Sequence, residues 1–171
     1  DQAKQILLNL HHRGAAAADE VTGDGAGILF QIPHDFFAAK TKLLGITLPD
    51  PDKYGVGMIF LPKNNKLKND CKQIIEDSIA HYGMKTLGWR DVPTSSDCLA
   101  QIALSAEPAI VQVFVDGCGF EGEELERKLF LARRRSSKII NEEYKKTDDY
   151  YTITMSCRTI CYKGMFMAWQ L

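Results

Sequence analysis

The sequence predicts an α+β layered fold, with helices stacked outside a largely antiparallel sheet or sandwich. Three observations carry this expectation. Helical and strand patterns alternate along the 171 residues, yet a helix comes first. Several strand segments alternate polar and apolar residues, unlike the continuous apolar runs of a doubly wound parallel sheet. No internal repeat or low-complexity tract breaks the pattern, and the length suits one domain with a real core.

Residues 2–12 read as the first helix, with Ala3, Ile6, Leu7 and Leu10 on one apolar stripe and Gly14 ending it. His11 and His12 fall in its last turn, as capping or as mechanistic residues. A loop follows with an Arg13-Gly14 pair, four alanines and Gly-Asp-Gly-Ala-Gly. Small residues allow close approach of another backbone or of a ligand. A fixed guanidinium beside them suits a carboxylate. A plain helix-to-strand connection fits the same residues.

Residues 27–32 read as a buried strand. Pro33 opens a helix that Gly45 closes, with Phe36 and Phe37 assigned to the core. Tyr54 to Leu61 is a strand whose alternate glycines require something to pack closely over one face. Residues 67–82 form an amphipathic helix facing inward with Leu67, Cys71, Ile74, Ile75, Ile79 and Tyr82. Residues 84–92 form a strand carrying Trp89, a core anchor more than a platform.

A short helix is expected within 94–106, closed by Pro108, and a strand over 109–115. A long helix spans 123–143, with Leu125, Leu129, Ala132, Ile139 and Ile140 inside. Arg133, Arg134 and Arg135 form a solvated face, because adjacent helical residues point apart. Residues 150–157 and 158–163 read as a strand, a tight bend and its continuation or partner. A helix is expected to start at Gly164.

The net charge of −1 gives no reason to expect a nucleic-acid or membrane surface. No apolar run is long enough to span a bilayer. Five scattered cysteines without a Cys-x-x-Cys pair predict no metal site, and mostly buried, reduced thiols. The Gly-Asp-Gly-Ala-Gly stretch leads into a strand, whereas a dinucleotide loop follows one, and a phosphate-loop lysine is absent. No Gly-x-Ser-x-Gly elbow occurs.

Five segments carry a resemblance: ILLNLHHRGAAAADEVTGDGAGILFQIPHDFF (6–37), YGVGMIFLP (54–62), EPAIVQVFV (107–115), ERKLFLARR (126–134) and SCRTICYKGMF (156–166). In content and order they resemble the glutamine amidotransferase domain of glutamate synthases, a class II, N-terminal-nucleophile amidotransferase. IPHDFF and YKGM argue against the sugar- and purine-directed relatives. The resemblance implies a four-layer αββα sandwich, here incomplete at both ends, with residues 1–171 as one partial domain. It implies hydrolysis of glutamine to glutamate and ammonia. The ammonia would pass to a separate synthase domain of the same polypeptide, which makes glutamate from 2-oxoglutarate with FMN and an iron–sulfur cluster. No cofactor is expected in this domain.

In this family the nucleophile is a cysteine at the processed N-terminus, with its own α-amino group as base. A later Asn-Gly segment supplies the oxyanion hole. Neither the Cys-Gly-Val-Gly start nor the later segment is present, so the 171 residues alone are expected to be inactive. A non-catalytic structural or interaction domain of the same fold is the alternative. Arg13 matches an arginine beside the nucleophile, and Gly14, Asp24 and Gly25 are supporting positions. A cytoplasmic location is expected, or a plastid in a photosynthetic eukaryote.

Overall fold

The computed structural model describes residues 2–9, 25–95, 101–144 and 149–164. The element order is α1 (Gln2–Asn9), β1 (Ala26–Gln31), α2 (His34–Lys42), β2 (Tyr54–Leu61), α3 (Asn65–His81), β3 (Lys85–Asp91), α4 (Gln101–Ala106), β4 (Ala109–Asp116), α5 (Gly122–Glu143), β5 (Tyr151–Ser156) and β6 (Thr159–Gly164). The α+β expectation holds. The chain divides into two compact units, Asp1–Leu29 with Pro93–Glu107 and Cys161–Leu171, and Phe30–Val92 with Pro108–Ile160.

The second unit is built on a four-stranded sheet of order β3-β4-β2-β5. Every pairing in it is antiparallel. Successive side chains of a strand face opposite ways. Val111, Val113 and Val115 of β4, with Ile59 and Leu61 of β2, therefore turn to one face. There they join Cys71, Ile75 and Ile79 of α3 and Leu125, Leu129 and Ile140 of α5 in one buried cluster. The opposite face takes α2, where Phe37 packs edge-on against Phe114 at a 5.4 Å centroid distance. Burial of these aliphatic and aromatic side chains contributes about 1.5–3 kcal/mol each.

The alternate glycines of β2 do what the sequence demands. A Cβ on Gly55 would lie 2.5 Å from Leu129 Cδ1, and one on Gly57 would lie 2.6 Å from Val113 Cγ1. Leu129 is fully buried, so α5 sits down onto β2 through a gap that only glycine leaves.

Helix ends follow local chemistry. α3 starts two residues earlier than the apolar stripe suggests, because Asn64 Oδ1 accepts the Leu67 N–H at 3.0 Å. α2 ends where Gly45 takes φ +73. The Gly45 N–H then reaches Lys42 O and the Ile46 N–H reaches Thr41 O, satisfying carbonyls the helix would leave bare.

Several expectations are corrected. Phe36 is 43% exposed, unlike its neighbour Phe37, because consecutive helical positions cannot share one face. The short helix expected within 94–106 is present as α4, Gln101–Ala106, and residues 96–100 lie outside the described residues. Gly164 ends β6, and the helix expected after it, over residues 165–171, lies outside the described residues. Ile139 is only half-buried, and Ser136 takes the inward position, its Oγ donating to Arg133 O. Cys118 is exposed, against the expectation for most thiols, because it lies in the turn after β4 with φ +51. Trp89 is half-buried and donates from Nε1 to Glu76 Oε1 at 2.6 Å.

Gly55→Ala is expected to destabilise the protein by about 1–3 kcal/mol through overpacking. Leu129→Ala alone is expected to cost about 2–5 kcal/mol as a cavity. Urea unfolding of both single variants and the double variant gives a coupling energy. A double variant costing less than the sum is the expected result, since each change relieves the other.

Candidate functional site

Of the four positions singled out in the sequence, Arg13, Gly14 and Asp24 lie outside the described residues. Gly25 is described, with φ +116 immediately before β1. Its backbone region disfavours side chains, and a Cβ there would stand 3.3 Å from Gly164 O. Two residues on, a Cβ on Gly27 would lie 2.9 Å from Tyr162 O and 3.0 Å from Lys163 Cβ. β1 pairs with β6. The small residues at the start of β1 thus admit another backbone, that of β6, which is one of the two partners the sequence left open.

The bend between β5 and β6 is densely hydrogen-bonded. β5 belongs to the four-stranded sheet and β6 to the two-stranded one, so the chain changes sheet across Cys157 and Arg158. One carboxylate oxygen of Glu126, on α5, holds this crossing. Glu126 Oε2 accepts the Ser156 hydroxyl at 3.0 Å, the Cys157 N–H at 2.9 Å and the Cys157 thiol at 3.2 Å. Ser156 Oγ in turn accepts the Arg158 and Thr159 N–H groups at 3.0 and 3.2 Å. Arg158 O accepts the Ile32 N–H just beyond β1.

Outside this knot, Arg158 Nη2 meets Glu123 Oε1 at 2.8 Å with both side chains well exposed. An exposed pair of this kind adds little. The sequence does contain a signal for Glu126: it lies one position from Leu125 and three from Leu129, an acid on the inward stripe of a helix. Such a charge must find donors. The polar run Ser156 to Thr159 between two apolar strands supplies them.

The Cys157 thiol at this bend is held as a donor, not as a nucleophile. Burial, then the hydrogen bond to Glu126, pushes Cys157 up to about 12. Burial and the nearby Asp70 push Cys71 up to about 11. Reactive cysteines show the opposite shift. Among the described residues, no group of three or more His, Cys, Asp or Glu could hold a metal ion. Among them, too, no helix is long and apolar enough to cross a membrane.

These shifts have a definite consequence for stability. Unfolded thiols ionise near their ordinary value of 9, while the folded ones stay protonated until about 11 and 12. The stability they support is complete below pH 9 and is lost as the pH rises from 9 through 12. Denaturant midpoints measured across that range are expected to fall, and to fall less in Cys157→Ser. Glu126→Ala is expected to cost about 1–3 kcal/mol at neutral pH by stranding the bend's donors, read by the same unfolding assay.

The comparisons with known proteins agree along the whole chain. The family model of class-II glutamine amidotransferases matches residues 1–171. The glutamate synthase [NADPH] large chain of Azospirillum brasilense is 40% identical over 169 residues, covering 98% of this chain and 11% of that protein. Ferredoxin-dependent glutamate synthase 2 of Synechocystis sp. is 38% identical over 168 residues, covering 96% of this chain and 10% of its own length. Ferredoxin-dependent glutamate synthase 1, chloroplastic/mitochondrial, of Arabidopsis thaliana is 36% identical over 157 residues, covering 91% of this chain and 10% of that protein. The chain spans about a tenth of the length of these relatives. With an antiparallel sheet carrying helices, glycines placed for close strand contact and a family match from its first residue to its last, the chain belongs to the class-II glutamine amidotransferases.

Proposed function

We propose that this chain is part of the glutaminase domain of a glutamate synthase, folded as the four-layer αββα sandwich of N-terminal-nucleophile enzymes. The observation that carries the reading is the family match over residues 1–171 together with relatives that are glutamate synthases at 36–40% identity. In the complete domain an N-terminal cysteine thiolate attacks the side-chain amide carbon of glutamine. The amide C–N bond breaks, its nitrogen takes a proton and leaves as ammonia, and water then cleaves the thioester to glutamate. The ammonia passes to the synthase domain of the same polypeptide for addition to 2-oxoglutarate. FMN and an iron–sulfur cluster serve that domain and supply the redox chemistry there. The protein works in the cytoplasm, or in a plastid if its source is a photosynthetic eukaryote.

Within this reading Arg13 braces the nucleophile's strand and the pocket rim, Gly14 lets the backbones meet, and Asp24 and Gly25 shape the turn into β1. The five cysteines of the sequence are all internal, so none has the free α-amino group that the mechanism uses as base. Of the described ones, Cys71 and Cys157 are buried and held protonated. The 171 residues by themselves therefore do not turn glutamine over.

The test is ammonia release from glutamine by the parent polypeptide and by residues 1–171. Release by the parent alone is expected, and release by the short chain overturns the assignment of the nucleophile. In the parent, Arg13→Ala is expected to lower kcat/KM for glutamine hydrolysis at least tenfold, about 1.4 kcal/mol, and Arg13→Lys to restore little of it. A parent that releases no ammonia at all instead supports a non-catalytic domain of the same fold.

A further inference from the structure

α2 carries an outward stripe that the fold of its own unit leaves uncovered. Phe36, Ala39, Lys40 and Leu43 fall at helical spacing on one side, opposite the buried Phe37 and Thr41. All four are exposed, Leu43 to 81%. Two cations lean over the Phe36 ring, Lys40 Nζ at 5.7 Å and Arg90 Cζ of β3 at 5.8 Å from its centroid. Arg90 also donates to Gln112 Oε1 at 2.8 Å, which fixes its direction. Among the described residues neither cation is ion-paired. An exposed aromatic and an exposed leucine, flanked by two cations that pair with no carboxylate among the described residues, form a surface complementary to apolar side chains bordered by acids.

We propose that this stripe is the docking surface for an acidic, apolar surface patch elsewhere in the parent polypeptide. The inference rests on the reading of the chain as part of a longer synthase. Two observations choose this occupant. Both charges that lean over the Phe36 ring are cations, with the exposed Asp35 only at the stripe's edge, so a second copy of the stripe would set cation against cation over that ring. The chain also spans only about a tenth of the relatives it matches. Docking would bury Phe36 and Leu43 and give Lys40 and Arg90 the carboxylates they lack, and the contact would weaken with salt.

Amine acylation of the intact parent polypeptide with acetic anhydride, read by mass spectrometry, tests this. Lys66, an exposed residue in the first turn of α3, is the internal reference. Lys40 is expected to react several-fold more slowly than Lys66. Leu43→Asp, Arg90→Glu or high salt is expected to bring it to the reference rate, and Leu43 is exposed enough that its replacement leaves the fold intact. A Lys40 that reacts as fast as Lys66 in the unaltered parent overturns the proposal. So does protection that Leu43→Asp leaves unchanged, or protection that fades on dilution, which would assign the stripe to a second copy. The readout is independent of glutamine turnover, so a shielded Lys40 in a parent that releases no ammonia refutes the function and keeps the docking surface.

Discussion

The second unit depends on one steric fact: α5 can reach β2 only because β2 lacks a side chain at Gly55. Leu129 fills the space where a Gly55 Cβ would stand, and Val113 and Met155 close over Gly57 from the two flanking strands. That close seat brings the whole inward stripe of α5 onto the sheet. It therefore also sets where Glu126 lies, one turn before Leu129, and so where the carboxylate that ties the β5–β6 crossing is found. Packing and polar anchoring are not separable here, because the same helix turn delivers both.

Much of this was legible in the sequence, for identifiable reasons. Period-two glycines in an apolar strand have few explanations, and the close contact they announced is present. The inward faces of α3 and α5 were readable because strong helical periodicity leaves little choice of orientation. Boundaries were less legible. The Asn64 cap moved the start of α3 outward, since a single side-chain hydrogen bond can recruit residues that the apolar stripe does not reach. Phe36 was assigned inward by composition alone, although two adjacent helical positions cannot both face the core.

The candidate site was legible in a different way. Motifs in order, from the Arg13-Gly14 pair to the Tyr162-Lys163-Gly164 segment, identified the family, which local physics could not have done. The role of Glu126 escaped the reading because its partners are far along the chain. Three of its accepted bonds come from residues some thirty positions away, and no local window contains both sides. The change of sheet at Cys157 was invisible for a similar reason: two strands joined by two residues normally pair with each other, and here they do not.

The β1–β6 ladder has a consequence for how the molecule assembles. Its strands lie near opposite ends of the sequence, and nearly every other element is threaded between them. Closing so large a loop carries an entropic toll that grows only slowly with further length. An isolated pair of strands recovers little of it. Insertions in surface turns between these strands should thus be tolerated more readily than a one-residue change in the ladder itself.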